Sequence, residues 1–109
     1  MNWMARQGDI LLMPVGQIPA KAEAIECEGE RVILAEGEST GHAHAIVLDR
    51  ESDVTLYTVA DEVDRWLRVQ SRPVALRHEE HSTVILPPGD YVVRRQREYS
   101  PEALRMVAD

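Results

Sequence analysis

With 109 residues, 44% apolar content and a formal net charge of −7, the chain has the size of one domain with one modest core. No apolar run approaches the roughly 18–20 residues of a membrane-spanning helix, which excludes a membrane span of that kind. The acidic balance argues against a general binder of phosphate backbones, which needs a basic face to displace counterions. The start, Met1 to Arg6, lacks the basic head and long apolar middle of a secretion signal. The lone Cys27 cannot staple the domain. A cytoplasmic location is the resulting expectation.

In chain order, Gly8-Asp9 introduces Ile10 to Met13, a short apolar run stopped by Pro14 that reads as a buried strand. Ala22 to Cys27 alternates imperfectly, and Glu28-Gly29-Glu30 turns it toward Arg31 to Ala35, so the two read as a hairpin. Charge is uneven here: Glu23 to Glu38 carries six glutamates and one arginine. Gly37 to Gly41 forms the next turn, and a strand runs from His42 to about Leu48. Alternation puts His42, His44, Ile46 and Leu48 on one face, so both imidazoles should sit at the mouth of the core.

Asp49 to Asp53 is a polar turn, Val54 to Val59 a strand, and Ala60 to Asp64 a loop or single helical turn. Trp66 to Val69 and Val74 to Leu76 read as strands on either side of Ser71-Arg72-Pro73. Thr83 to Leu86 is β-branched and apolar, then Pro87-Pro88-Gly89-Asp90 makes a turn. Tyr91-Val92-Val93 opens the last strand. Ser100-Pro101-Glu102 is a helix-start signal for a short terminal helix through Val107. The whole predicts an all-β domain over residues 1–109: a small sandwich, jelly roll or barrel of seven to eight short strands. Trp3, Trp66 and Tyr91 read as packing residues and Cys27 as a small apolar filler.

All four histidines fall in two short clusters, His42-Ala43-His44 and His78-Glu79-Glu80-His81. A His-x-His pair on one strand offers two nitrogens on one face, and neutral imidazole suits zinc, iron and nickel. His78 and His81, three apart, lie on opposite faces of a regular strand. They converge only if Glu79-Glu80 occupies the middle of a turn, so a shared site requires a bend at 78–81. Three or four of these rings could then hold one divalent ion: zinc, iron, nickel or manganese. Glu79 or Glu80 would act as a further ligand or as the group that moves a proton. The bland alternative is that each histidine is simply a hydrogen-bonded surface or core residue. No nucleophile elbow and no phosphate-cradling glycine loop is present.

Near the C-terminus, Arg94, Arg95 and Arg97 cluster with Tyr99. Arg95, Arg97 and Tyr99 could contact a carboxylate- or phosphate-bearing substrate or a partner chain. The favoured reading is plainer: an Arg97–Glu98 or Arg95–Glu102 surface pair, with Tyr99 packing the final helix. The residues Gly41-His42-Ala43-His44 with the later Pro-Pro-Gly turn resemble a reduced cupin, which would imply a metal inside a jelly roll. The chain departs from that pattern at Leu48 and Val92, where cupins carry glutamate and histidine. Nearly the full length is similar to a group of small bacterial and phage proteins. These share Arg6 to Asp9, Thr40 to His44, His78 to His81, Leu86 to Tyr91 and Arg95 to Pro101.

Two functions are compatible with these residues. One is a metal-dependent enzyme with a small-molecule substrate; the other is a binding module meeting a protein partner through its last strand. An oligomer is compatible with either, and nucleic acid is disfavoured by the charge.

Overall fold

The computed structural model describes residues 4–26, 29–37, 41–49 and 53–96. These form ten strands: β1 (Ala5–Gln7), β2 (Ile10–Pro14), β3 (Glu23–Ile25), β4 (Arg31–Glu36), β5 (Ala43–Val47), β6 (Asp53–Thr58), β7 (Arg65–Gln70), β8 (Val74–His78), β9 (His81–Leu86) and β10 (Gly89–Arg95). They build two open antiparallel sheets, one of order β1-β2-β10-β7-β6-β3 and the other β4-β5-β8-β9. The fold is all-β. The expectation of seven to eight strands, with a closed barrel among its forms, is overturned by ten strands in two open sheets. No helix occurs among the described residues, and the expected helix over 100–107 lies outside them, as do Trp3 and Cys27.

Each departure from expectation has a local reason. β1 is three residues long with no visible alternation. It exists because Gly8-Asp9 closes a two-residue hairpin, pairing Gln7 with Ile10. Gly8 takes a positive φ of 59° and Asp9 does not, the pattern of a type II′ turn with glycine leading. The expected hairpin between Ala22 and Ala35 does not form. β3 pairs with β6 and β4 with β5, so these two consecutive strands belong to different sheets. The Pro87-Pro88 segment crosses between the sheets, since β9 and β10 belong to different sheets. Tyr91 pins that crossing, its hydroxyl donating to the Pro87 carbonyl.

The core lies between the sheets. Ile10, Leu12, Leu67 and Val93 from one sheet meet Leu34, Ile46, Leu76 and Leu86 from the other, all buried. Burial of such side chains contributes roughly 1.5–3 kcal/mol each, so the two sheets close on each other through this layer. Both register irregularities of the smaller sheet fall at one end: between Ile33 and Ala35 opposite β5, and between Leu76 and His78 opposite β9. Bulges of this kind bend a strand and re-aim its side chains. Here they shape the end where the histidines gather.

Candidate metal centre

β5 carries His44, with His42 just before the strand, and the β8–β9 hairpin carries His78 and His81. The bend that a shared site requires at 78–81 is present. Glu79-Glu80 forms the turn, and His78 and His81 are register partners across it. The Leu76/His78 irregularity shifts the pairing by one residue; without it His78 would face Ser82. β5 pairs with β8, which brings the clusters together. Ring centroids lie 4.3 Å apart for His44–His78, 4.7 Å for His78–His81, 5.7 Å for His42–His78 and 6.1 Å for His44–His81.

His44 is the innermost ring, 1% exposed, on the core-facing side with Ile46 as alternation required. Ala43 and Ala45 are buried as well, while Val47 is exposed. Gln7 and His44 are the two buried polar side chains among the described residues, and they are bonded to each other. His44 Nδ1 lies 2.9 Å from Gln7 Oε1. Gln7 Nε2 donates to the carbonyls of Leu76 at 2.8 Å and Ser82 at 2.9 Å. On the other side of the ring, His44 Nε2 lies 3.3 Å from Asp9 Oδ1. Burial, and then the neighbouring His78, push His44 down to about 4, against an upward pull from Asp9.

Asp9 sits at the β1–β2 turn. Burial raises its carboxyl, but the hydrogen bond and charge of Arg95 outweigh that and hold it below the usual value. Arg95 Nε donates to Asp9 Oδ2 at 2.8 Å, and the same guanidinium donates to the Glu36 carbonyl.

His42, His78 and Glu79 form the group whose donor atoms lie within 4.8 Å of one another. Nδ1 of His42 is buried and has no hydrogen-bond partner among the described residues; Glu80 Oε1 is 3.7 Å from it. Glu79 Oε1 accepts the Ala43 N–H at 3.0 Å, which ties the hairpin tip to the start of β5. That bond is the main reason its carboxyl sits below the ordinary value. The Glu80 N–H donates to His78 Nδ1 at 3.0 Å. A neutral His78 therefore carries its proton on Nε2, and binding an ion through Nδ1 requires the turn to release that nitrogen. Burial first, then the charge of His81, lowers His78 from its ordinary value.

Two glycines let the rings approach the backbone. A methyl group on Gly37 would lie 2.8 Å from His42 Cβ and 2.9 Å from His78 Nε2; one on Gly8 would lie 2.6 Å from His81 Nε2.

The sequence thus places His42, His44, His78, His81, Glu79 and Glu80 in one neighbourhood, as expected for a shared site. Arg95 joins it through Asp9, while Arg97 and Tyr99 lie outside the described residues. Gln7 and Asp9 were not among the candidates. Their signal was the Gly8-Asp9 turn, which folds a short first strand back against the second. A cleft of about 850 Å³ runs between the sheets beside this end and shares Glu36 and Arg95 with it. Ile10, Leu34 and Val93 form part of its apolar wall and Arg65 adds a further charge. No helix among the described residues is long and apolar enough to cross a membrane.

Comparison with curated proteins and with solved structures gives no match. One family model does match, over residues 6–96, a span that takes in Asp9, all four histidines and Arg95. The chain belongs to that family, described as Domain of unknown function (DUF8820).

Proposed function

We propose that this protein is a small β-domain that binds a divalent metal ion at its histidine cluster, with His42, His78 and Glu79 as the donor group. The observation that carries this reading is the convergence of two sequence-distant histidine pairs at one end of the smaller sheet, with three donor atoms within 4.8 Å of one another. The donors fit such an ion. Two imidazoles and a carboxylate suit zinc, iron, nickel or manganese, and a buried His42 nitrogen without a hydrogen-bond partner is costly unless something coordinates it.

Three protein donors leave a position for water, the open arrangement that metal-dependent catalysis uses. Glu80, exposed and 3.7 Å from His42, would then be the group that carries a proton. Small-molecule chemistry at the cleft is compatible with this arrangement. The competing reading, a partner-binding surface on the last strand, has less behind it. Arg94 is paired with Asp64 at 2.9 Å and Arg95 with Asp9 at 2.8 Å, so both cations are already engaged within the chain.

Elemental analysis of the purified full chain tests the proposal, together with uptake of zinc, iron(II), nickel and manganese by metal-stripped protein. About one ion per chain is expected, lost in His42→Ala/His78→Ala. Protein that neither retains nor takes up any of the four ions would falsify the reading. Chelation then separates two roles: a structural ion lowers the melting temperature when removed, and a catalytic one leaves the fold in place.

A further inference from the structure

Gln7 settles which nitrogen of His44 is available. Both of its amide N–H groups are spent on the carbonyls of Leu76 and Ser82, so its Oε1 is fixed as an acceptor facing His44 Nδ1. That nitrogen must carry the proton, and in the neutral ring the lone pair is on Nε2. Nε2 lies 3.3 Å from Asp9 Oδ1, while Arg95 occupies Oδ2. An unprotonated ring nitrogen and a carboxylate oxygen are thus held 3.3 Å apart, the ring bonded at its other nitrogen by Gln7 and the carboxylate at its other oxygen by Arg95.

We propose that His44 Nε2 and Asp9 Oδ1 are a preformed pair of ligands for a divalent cation, with Gln7 and Arg95 as the groups that position them. The spacing supports this assignment. Two ligands each about 2.0–2.1 Å from a tetrahedral ion lie about 3.3–3.4 Å apart, which is the separation found. The support from behind is also that of a metal site, where a ligating histidine donates its other N–H to an oxygen that fixes tautomer and ring orientation. The donor atoms of His42, His78 and Glu79 all lie within 4.8 Å of one another, and binding through His78 Nδ1 would first require its release from the Glu80 N–H. This rests on the reading that the histidine end holds a metal, and it adds His44 and Asp9, which are not in the donor group of that reading.

The test uses full-length protein labelled with ¹⁵N-histidine and titrated with zinc. Four histidines give four ring systems. Before zinc, near neutral pH, His44 should show a proton on Nδ1 alone. On adding one equivalent, its Nε2 resonance should shift while the Nδ1–H is retained. Asp9→Asn, which keeps size and a carbonyl oxygen for Arg95, should weaken zinc binding about tenfold or more. Three results overturn the inference: His44 already protonated on both nitrogens before zinc, an Nε2 resonance unmoved at saturation, or wild-type affinity in a folded Asp9→Asn protein. If zinc moves His42 and His78 but not His44, this inference alone fails. If the wild type takes up no zinc, iron, nickel or manganese, the metal reading falls with it. The wild-type titration involves no variant and so does not depend on how Asp9→Asn folds.

Discussion

His78 and His81 face each other as register partners across the Glu79-Glu80 turn, and Glu79 reaches from that turn to accept the Ala43 N–H of the neighbouring strand. The turn therefore sets the distance between the two histidine pairs. Glu79→Ala removes both a candidate ligand and this tether. Amide exchange at Ala43 should accelerate and metal affinity should fall about 10–100-fold, with far-UV circular dichroism unchanged. Glu79→Gln keeps an oxygen for the Ala43 N–H but lacks the charge, so exchange should stay slow while affinity still falls. Equal exchange rates in the two variants would show that the tether does not act.

Gln7 has a structural consequence separate from any metal. It is 2% exposed and serves the Leu76 carbonyl, the Ser82 carbonyl and the His44 ring. Gln7→Leu leaves all three without that partner in a buried place, which should cost roughly 2–5 kcal/mol of stability. Chemical denaturation of metal-free protein measures it. Gln7→Glu should act differently: a carboxylate facing Nδ1 favours the charged ring, so the His44 titration followed by NMR should move upward. A loss under about 1 kcal/mol in Gln7→Leu would mean that water replaces the amide.

What the sequence made legible follows from how local each signal was. Alternation along 42–48 put His44 and Ile46 on the core side, and the spacing of His78 and His81 showed that a shared site needs a turn between them, which is there. Both rest on backbone periodicity, which any stretch of chain displays by itself. The strand count and sheet assignment rest on long-range pairing. β3 looked like a hairpin partner of β4 because Gly29 lies between them, yet it pairs with β6 instead. Gln7 and Asp9 were missed for the same reason. A glutamine and an aspartate beside a glycine look like turn residues until β1 is seen folded against β2, which brings them to a ring some 35 residues away.

Gly37 tests how closely the outer rings depend on the backbone beneath them. Its N–H donates to the His42 carbonyl at 2.7 Å, and an added methyl would fall within 3.0 Å of both His42 and His78. Its φ is not positive, so alanine meets no backbone penalty and the effect isolates the collision. Gly37→Ala should displace the two rings, cost about 1–3 kcal/mol and weaken metal binding. Crystals of the variant with His42 and His78 unmoved would show that the neighbours yield elsewhere.

Metal-free protein should lose stability over a pH window set by His44. Its folded value of about 4, against an ordinary 6.5, is caused first by burial and then by His78; His78 is lowered in the same direction, by burial and then by His81. A ring harder to protonate in the folded chain than in the unfolded one takes up its proton in the unfolded chain first. Stability is therefore full above about pH 6.5, declines as pH falls, and the His44 contribution is gone below about pH 4. For His44 the loss is at most ~3 kcal/mol. Asp9 acts in a different window. The Arg95 bond, outweighing burial, lowers its carboxyl, so its contribution persists above the ordinary 3.8 and is lost only as pH falls further. Urea unfolding in the presence of a chelator, from about pH 7 to about pH 4, should show a midpoint that drops before the carboxylates titrate. With saturating zinc the drop should also appear as falling metal affinity, because protons compete for the same nitrogens. A midpoint flat from pH 7 to about pH 4.5 would mean that the His44 ring is not held neutral by its surroundings.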